Sequence, residues 1–273
     1  MRRLLLLAAL LASLFAPGAA LAAGFTDDFS TDPFRFPRRW CARSHGAEWN
    51  KTAGTMDVWK DTNTTARVTA TGGCAYSPTA GCEGHGTTDG RYLIRTALPY
   101  AGDKRIFRVR FALPANFTST DTLEVYGALH PYCNAGVKAT LSSPGGDGLY
   151  QLTLAVADSA GLSPSTECAY NGGSAVSFVP SDLFPLTADA VNLNRYEILF
   201  RMDPTLTGDK IEATVKLYDR VVDPNAIVAG AKVANKRFNV PVWYGRHANY
   251  FAFGGNKASG AKTPITLAIG TAK

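Results

Sequence analysis

Along most of the chain apolar and polar residues alternate with a period of two, in runs separated by glycine, proline and asparagine. That is the pattern of antiparallel strands with one face buried. Residues 105–111 set Phe107, Val109 and Phe111 against Ile106, Arg108 and Arg110, and residues 150–156 put Tyr150, Leu152, Leu154 and Val156 on one side. Residues 195–202 set Tyr196, Ile198, Phe200 and Met202 against Arg195, Glu197, Leu199 and Arg201. In 211–217, Ile211, Ala213, Val215 and Leu217 oppose Glu212, Thr214 and Lys216. Turn chemistry falls at 143–148, 171–173 and 203–209, and 180–190 is the one stretch expected to hold a short helical turn. With no internal repeat, linker or low-complexity tract, the expected fold class is all-β: a two-sheet antiparallel sandwich or jelly roll.

The first 22 residues depart from this pattern. Arg2 and Arg3 precede an apolar run from Leu4 to Ala16, and Ala20-Leu21-Ala22 offers a small-residue cleavage site. The run is interrupted by Pro17-Gly18 and is shorter than the roughly 20 residues of a membrane span. Residues 1–22 therefore read as a signal peptide and 23–273 as one soluble domain, secreted or periplasmic, with no membrane span and no lipid anchor. Five cysteines, Cys41, Cys74, Cys82, Cys133 and Cys168, then lie in an oxidising compartment. Cys74 with Cys82, and Cys133 with Cys168, are plausible disulfide bonds that leave Cys41 over, though spacing alone does not settle the pairing.

Across 273 residues, 46% hydrophobic and 18% charged, the composition excludes disorder, collagen and coiled coil. The formal charge of +6 falls by two when Arg2 and Arg3 are removed, and the excess suits an anionic partner. The basic residues are scattered, with no aromatic-basic motif of a nucleic-acid reader. No cysteine or histidine spacing asks for zinc; no metal or other cofactor is expected, and a monomer is.

Three stretches could carry chemistry. Residues 121–130, DTLEVYGALH, read as a strand with Leu123, Val125, Gly127 and Leu129 facing the core. Glu124, Tyr126, Ala128 and His130 then share the other face, a carboxylate, a phenol and an imidazole in line. Residues 90–96, GRYLIRT, put Arg91, Leu93 and Arg95 on one face, with guanidinium forks suited to carboxylates. Residues 249–259, NYFAFGGNKAS, alternate Tyr250, Ala252 and Gly254 with Phe251 and Phe253, and end in a turn holding Asn256 and Lys257.

Phe25-Thr26-Asp27-Asp28-Phe29-Ser30 with the later Trp40 resembles the opening of concanavalin-A-like sandwiches, and 194–202 followed by 210–219 resembles their hairpin. In chain order, RYLIRT at 91–96, ALH at 128–130 and YFAFGGNKA at 250–258 resemble the three signature strands of alginate-lyase-like jelly-roll polysaccharide lyases. The resemblance implies β-elimination on a uronic-acid polymer such as alginate. Arg95 would neutralise the substrate carboxylate, His130 would act as base or stabiliser, and a phenol, Tyr250 or Tyr126, would return a proton. Arg91, Glu124, Tyr126, Asn256 and Lys257 would bind substrate. The family's glutamine two before the histidine is Ala128 here, and its second tyrosine falls on Asn256.

The alternative reading is a non-catalytic, lectin-like carbohydrate-binding sandwich, in which Tyr126, Trp243, Tyr244 and Tyr250 stack on sugars. A glycosidase is less well supported, because Glu124 stands alone on its strand face without the second carboxylate that hydrolysis needs. An exported matrix or coat protein is supported by export and bridging cysteines alone.

Overall fold

The computed structural model describes residues 24–33, 40–42, 47–58, 93–96, 104–129, 136–157, 177–205, 208–240, 244, 250–256 and 262–272. The signal peptide expected at 1–22 lies outside these residues. So do four of the five cysteines; Cys41 is described by its backbone.

The described residues form strands and no helix. In chain order the strands are β1 Phe25–Asp27, β2 Trp40–Ala42, β3 Ala47–Asn50, β4 Thr55–Val58, β5 Leu93–Thr96, β6 Arg105–Phe111, β7 Thr122–Leu129 and β8 Gly136–Ser142. They continue as β9 Leu149–Ala157, β10 Ser177–Pro180, β11 Phe184–Pro185, β12 Tyr196–Pro204, β13 Lys210–Asp219, β14 Ile227–Asn239, β15 Tyr250–Asn256 and β16 Thr263–Ala272. One sheet, here sheet A, runs β14-β13-β12-β6-β16-β4-β3 with β1 on β16; sheet B runs β10-β9-β8-β7-β15-β5-β2 with β11 on β9. Every pairing is antiparallel. The chain crosses between sheets repeatedly, from β5 to β6, β6 to β7, β14 to β15 and β15 to β16. This is the expected two-sheet jelly roll.

The alternating runs become the two inner faces. β6, β12 and β13 turn Phe107, Val109, Phe111, Ile198, Phe200, Val215 and Leu217 inward, all at most 1% exposed. Val125, Leu141, Leu152, Leu154, Phe251 and Phe253 meet them from sheet B. The β12–β13 hairpin pairs without interruption from Tyr196↔Asp219 to Pro204↔Ile211, as its strict alternation predicts. Near the N-terminus buried Asp27 accepts hydrogen bonds from Trp40 Nε1 at 2.8 Å and the Phe29 amide at 2.9 Å, tying the first strand to the core tryptophan.

The helical turn expected at 180–190 does not form. Pro180 and Pro185 have no N–H to give, and the Ser181 amide donates to Leu152 O at 2.8 Å. Phe184 is instead buried on β9 opposite Tyr150. Packing of one aromatic ring overrides a weak local tendency.

Candidate functional site

The central strand of sheet B, β7, departs from simple alternation. Against β8 its register steps from Tyr126↔Lys138 to Ala128↔Val137, and against β15 from Ala252↔Tyr126 to Tyr250↔Leu129. Both neighbours count one extra residue on β7, between Tyr126 and Ala128 against β8 and between Tyr126 and Leu129 against β15, a β-bulge at Gly127. A bulge shifts every later side chain to the opposite face. Leu123 and Val125 point into the sandwich as expected, but beyond the bulge Ala128 joins the main core, and Leu129 packs on the outer side with Tyr126, Tyr250 and Ala252. The expected line of Glu124, Tyr126, Ala128 and His130 is therefore broken at Gly127. The bulge falls where the strand runs close to sheet A: a Cβ on Gly127 would come 2.9 Å from Met202 Cε and from the Phe200 ring, so a side chain there would crowd both.

On the outer face of sheet B, Glu124, Tyr126 and Lys138 form one network. Tyr126 Oη donates to Glu124 Oε2 at 2.7 Å, and Lys138 Nζ donates to Glu124 Oε1 at 2.5 Å. The ammonium also stands 5.6 Å from the centre of the Tyr126 ring, within cation–π range. Lys138 and Glu124 are 12% and 18% exposed, so each charge is partly desolvated and needs the other. The tyrosine is held from below: a Cβ on Gly136 would fall 2.4 Å from Tyr126 Cδ1, so the ring lies directly on the glycine backbone of β8. Lys138 was not among the residues expected at the site. Its signal was a single charge on a strand whose alternate positions, Val137, Ala139 and Leu141, are apolar.

The register places the rest by row. Arg95 stands opposite Ala252, which stands opposite Tyr126, which stands opposite Lys138. The adjacent row runs Leu93–Gly254–Glu124–Thr140–Thr153. The first motif's arginine position and the cluster containing Tyr250 thus share one sheet with Glu124 and Lys138. Asn256 is placed by its backbone opposite Thr122, at the far end of β15. Arg91, His130 and Lys257 lie outside the described residues, as does Trp243.

The rings expected to stack on sugars are covered. Tyr126, Tyr244 and Tyr250 are 0%, 8% and 9% exposed, and Tyr244 belongs to the main core with the Arg105 guanidinium 5.1 Å from its centroid. Two phenols are pushed above the ordinary tyrosine range, Tyr150 and Tyr196, in each case mainly by burial. Both lie in the main core, away from this face, and Tyr196 Oη bonds the backbone of Thr187. Among the described residues no group of three His, Cys, Asp or Glu side chains gathers as a metal site, and no helix is long and apolar enough to cross a membrane.

No family model and no curated protein matches the chain. Among solved structures it is similar to the CBM2 module of the evolved Dit of Lactobacillus casei BL23 phage J-1, with TM-score 0.48 and 10% identity over 90% of this chain and 93% of that one. It is similar to the Emp47p carbohydrate recognition domain, with TM-score 0.48 and 11% identity over 92% and 95%. A third likeness is to a prokaryotic β-1,3-1,4-glucanase (lichenase) derived from a mouse hindgut metagenome, with TM-score 0.42 and 10% identity over 92% and 100%. At these scores and identities the site's chemistry has to be argued from the chain's own residues.

Proposed function

We propose that the protein is an exported, lectin-like binder of acidic polysaccharide, holding the glycan on the outer face of sheet B. The observation that carries this reading is the pair of adjacent cross-strand rows, Arg95–Ala252–Tyr126–Lys138 and Gly254–Glu124–Thr140–Thr153. They offer two cation positions for uronate carboxylates and, in half-buried Glu124, Thr140 and Thr153, groups for sugar hydroxyls beside the covered centre of Tyr126, Ala252 and Gly254. Recognition then rests on charge and hydrogen bonding, because the tyrosines are covered.

Binding is favoured over catalysis by the state of the polar groups. The Tyr126 hydroxyl and both Glu124 oxygens are committed to one another and to Lys138, whereas proton transfer needs a group within reach of the substrate. β-Elimination is the second reading, supported by the Arg95 position and Tyr250 lying on the same sheet. In that reading Arg95 neutralises the uronate carboxylate and a base removes the adjacent proton. The residues at 1–22 serve as the export signal, and 23–273 is the mature, single-domain chain.

The test is calorimetric titration of the mature protein with alginate and glucuronan oligosaccharides and with a neutral glucan, while unsaturated product is followed by absorbance. Saturable binding of the uronates without product is expected, with Arg95→Ala weakening it about tenfold, the size of one lost charge-assisted pair. Appearance of unsaturated product establishes the lyase reading; failure to bind any acidic oligosaccharide removes both.

A further inference from the structure

The outer face of sheet A, on the opposite side of the sandwich, carries its own arrangement of charge. β6 turns Arg108 and Arg110 outward between buried Phe107, Val109 and Phe111. Across four adjacent strands the register aligns Arg108–Leu199–Lys216–Lys232. Three strand spacings make this row about 14 Å long.

Each carboxylate beside the row already has a cation. Glu197, 1% exposed, accepts from Arg110 Nε at 2.8 Å and has Arg108 and Arg220 at 3.7 and 3.9 Å. Asp203 pairs with Arg201 at 2.6 Å and Glu212 with Arg237 at 3.2 Å. Three guanidiniums around one buried carboxylate leave a surplus of two positive charges. Among the described residues, Lys216 and Lys232 meet no carboxylate.

Two hollows on this face receive the surplus. A cleft of about 610 Å³ is lined by Arg110, Arg220, Asn192, Asn194 and the aliphatic Val191 and Val221. A smaller, more enclosed groove of about 360 Å³ is lined by Arg108, Arg201, Lys216, Lys232, Thr214 and Asn235, together with the paired carboxylates Asp203 and Glu212. They adjoin through Arg108 and Arg110, consecutive outward positions of one strand. At the groove's edge β14 bulges against β13. There Asn235, at φ 51°, donates its amide to Thr214 Oγ1 at 3.2 Å, and bulged strands bend, which hollows the sheet.

We propose that the outer face of sheet A is a second binding surface, a track for an extended polyanionic saccharide chain bearing carboxylates or sulfates. The chain lies across the strands from the Arg110–Arg220 cleft, past Arg108, to Lys216 and Lys232. Charge complementarity selects the class, and the row's direction selects an extended polymer. The groove lining has no aromatic ring on which bases could stack, so single-stranded nucleic acid lacks its usual platform. With an acidic-glycan site on sheet B, the protein would hold two chains on opposite faces; the sheet A track stands independently of that site.

The test uses the mature full-length protein, with a heparin dodecasaccharide and a polyglucuronate dodecasaccharide as sulfated and carboxylated probes. Affinity is measured across a salt series. The double variant K216S/K232S removes two cations that make no ion pair, so its melting temperature is expected to match the parent's. Its affinity for at least one probe should fall about fivefold at low salt, and the slope of log K against log salt should shrink by about two. K216E/K232E should lose more. In a K138M background the same loss should persist, whether or not sheet B binds glycan. Unchanged affinity and slope in both double variants overturns the proposal. So does a 12-nucleotide DNA that outcompetes both saccharides and loses affinity in the same variants.

Discussion

The two outer faces of this sandwich are built from the same alternating strands and have opposite characters. Sheet B covers its centre: Tyr126, Leu129, Tyr250 and Ala252 are almost fully buried there, and the Glu124–Lys138 ion pair is largely shielded. Sheet A leaves its outward side chains wetter toward the β14 edge, where Arg201 and Arg237 sit in pairs whose cations are 58% and 66% exposed, although Glu197 beside β6 is buried. The difference teaches that an outward position in a sheet is not by itself a surface position. On sheet B outward residues act as a second core layer, with energetics set by packing and desolvation. On sheet A they act through long-range charge.

The sharpest way to break the comparison is to truncate one large outward side chain at each centre. Tyr126→Ala removes a fully buried ring and should cost ~3–5 kcal/mol in chemical denaturation. Leu199→Ala, at the equivalent centre of sheet A and half-buried, should cost ~1 kcal/mol or less. Equal costs would mean that sheet A is covered as well. Next in size is overpacking. Gly136→Ala drives a methyl into the Tyr126 ring 2.4 Å away and should destabilise by ~1–3 kcal/mol. In a Tyr126→Ala background much of that penalty should vanish, a coupling that a double-mutant cycle reads directly.

The fold was largely legible in the sequence, because alternation with period two is a direct image of a half-buried strand. Residues 105–111, 196–204 and 210–219 form strands where the pattern puts them and bury the residues it picks out. The site was less legible. The three motif stretches do place β5, β7 and β15 side by side in sheet B, but the face of each residue past Gly127 depends on a bulge that alternation cannot show. The signal was a glycine inside an otherwise β-forming strand, which marks a bulge or a close approach; here it marks both. Lys138 went unnoticed because its importance lies in a cross-strand partner fourteen residues away. The burial of Tyr126, Tyr244 and Tyr250 is set by neighbours distant in sequence, so reading these rings as open stacking platforms had no local check.

Charge removal sharpens the contrast further. Glu124→Gln strips Lys138 of its carboxylate in a site where the ammonium is 12% exposed, and should cost ~1–3 kcal/mol, little changed by salt. Glu212→Gln breaks a pair whose arginine is 66% exposed, and should cost ~0.5 kcal/mol or less, vanishing in high salt. Urea unfolding of both variants at low and high salt checks both statements. A salt-sensitive Glu124→Gln would show that sheet B is wetter than its geometry implies.

The smallest expected effect is an acid one, and it belongs to the rim of sheet A alone. Asp189 accepts from the Asn192 amide at 2.8 Å, Asn192 Nδ2 at 2.9 Å, the Val191 amide at 3.0 Å and Arg195 Nη1 at 3.2 Å. These donors, the Asn192 bonds foremost, hold its carboxyl at about 2 against an ordinary 3.8. A carboxyl whose pKa is lowered by folding stabilises the fold fully above its ordinary pKa, and that contribution fades as pH falls through the folded value. Asp189→Asn should therefore differ slightly from the parent above pH 4 and converge with it near pH 2. In the parent, the amide resonances of Val191 and Asn192 should titrate with a midpoint near 2. Both residues line the Arg110–Arg220 cleft, so acid should loosen that wall while the amides of β7 and β8 hold their positions. If sheet B responds first, or if Val191 and Asn192 titrate near 4, the turn is not held by Asp189, and the cleft is less firmly built than the face it borders.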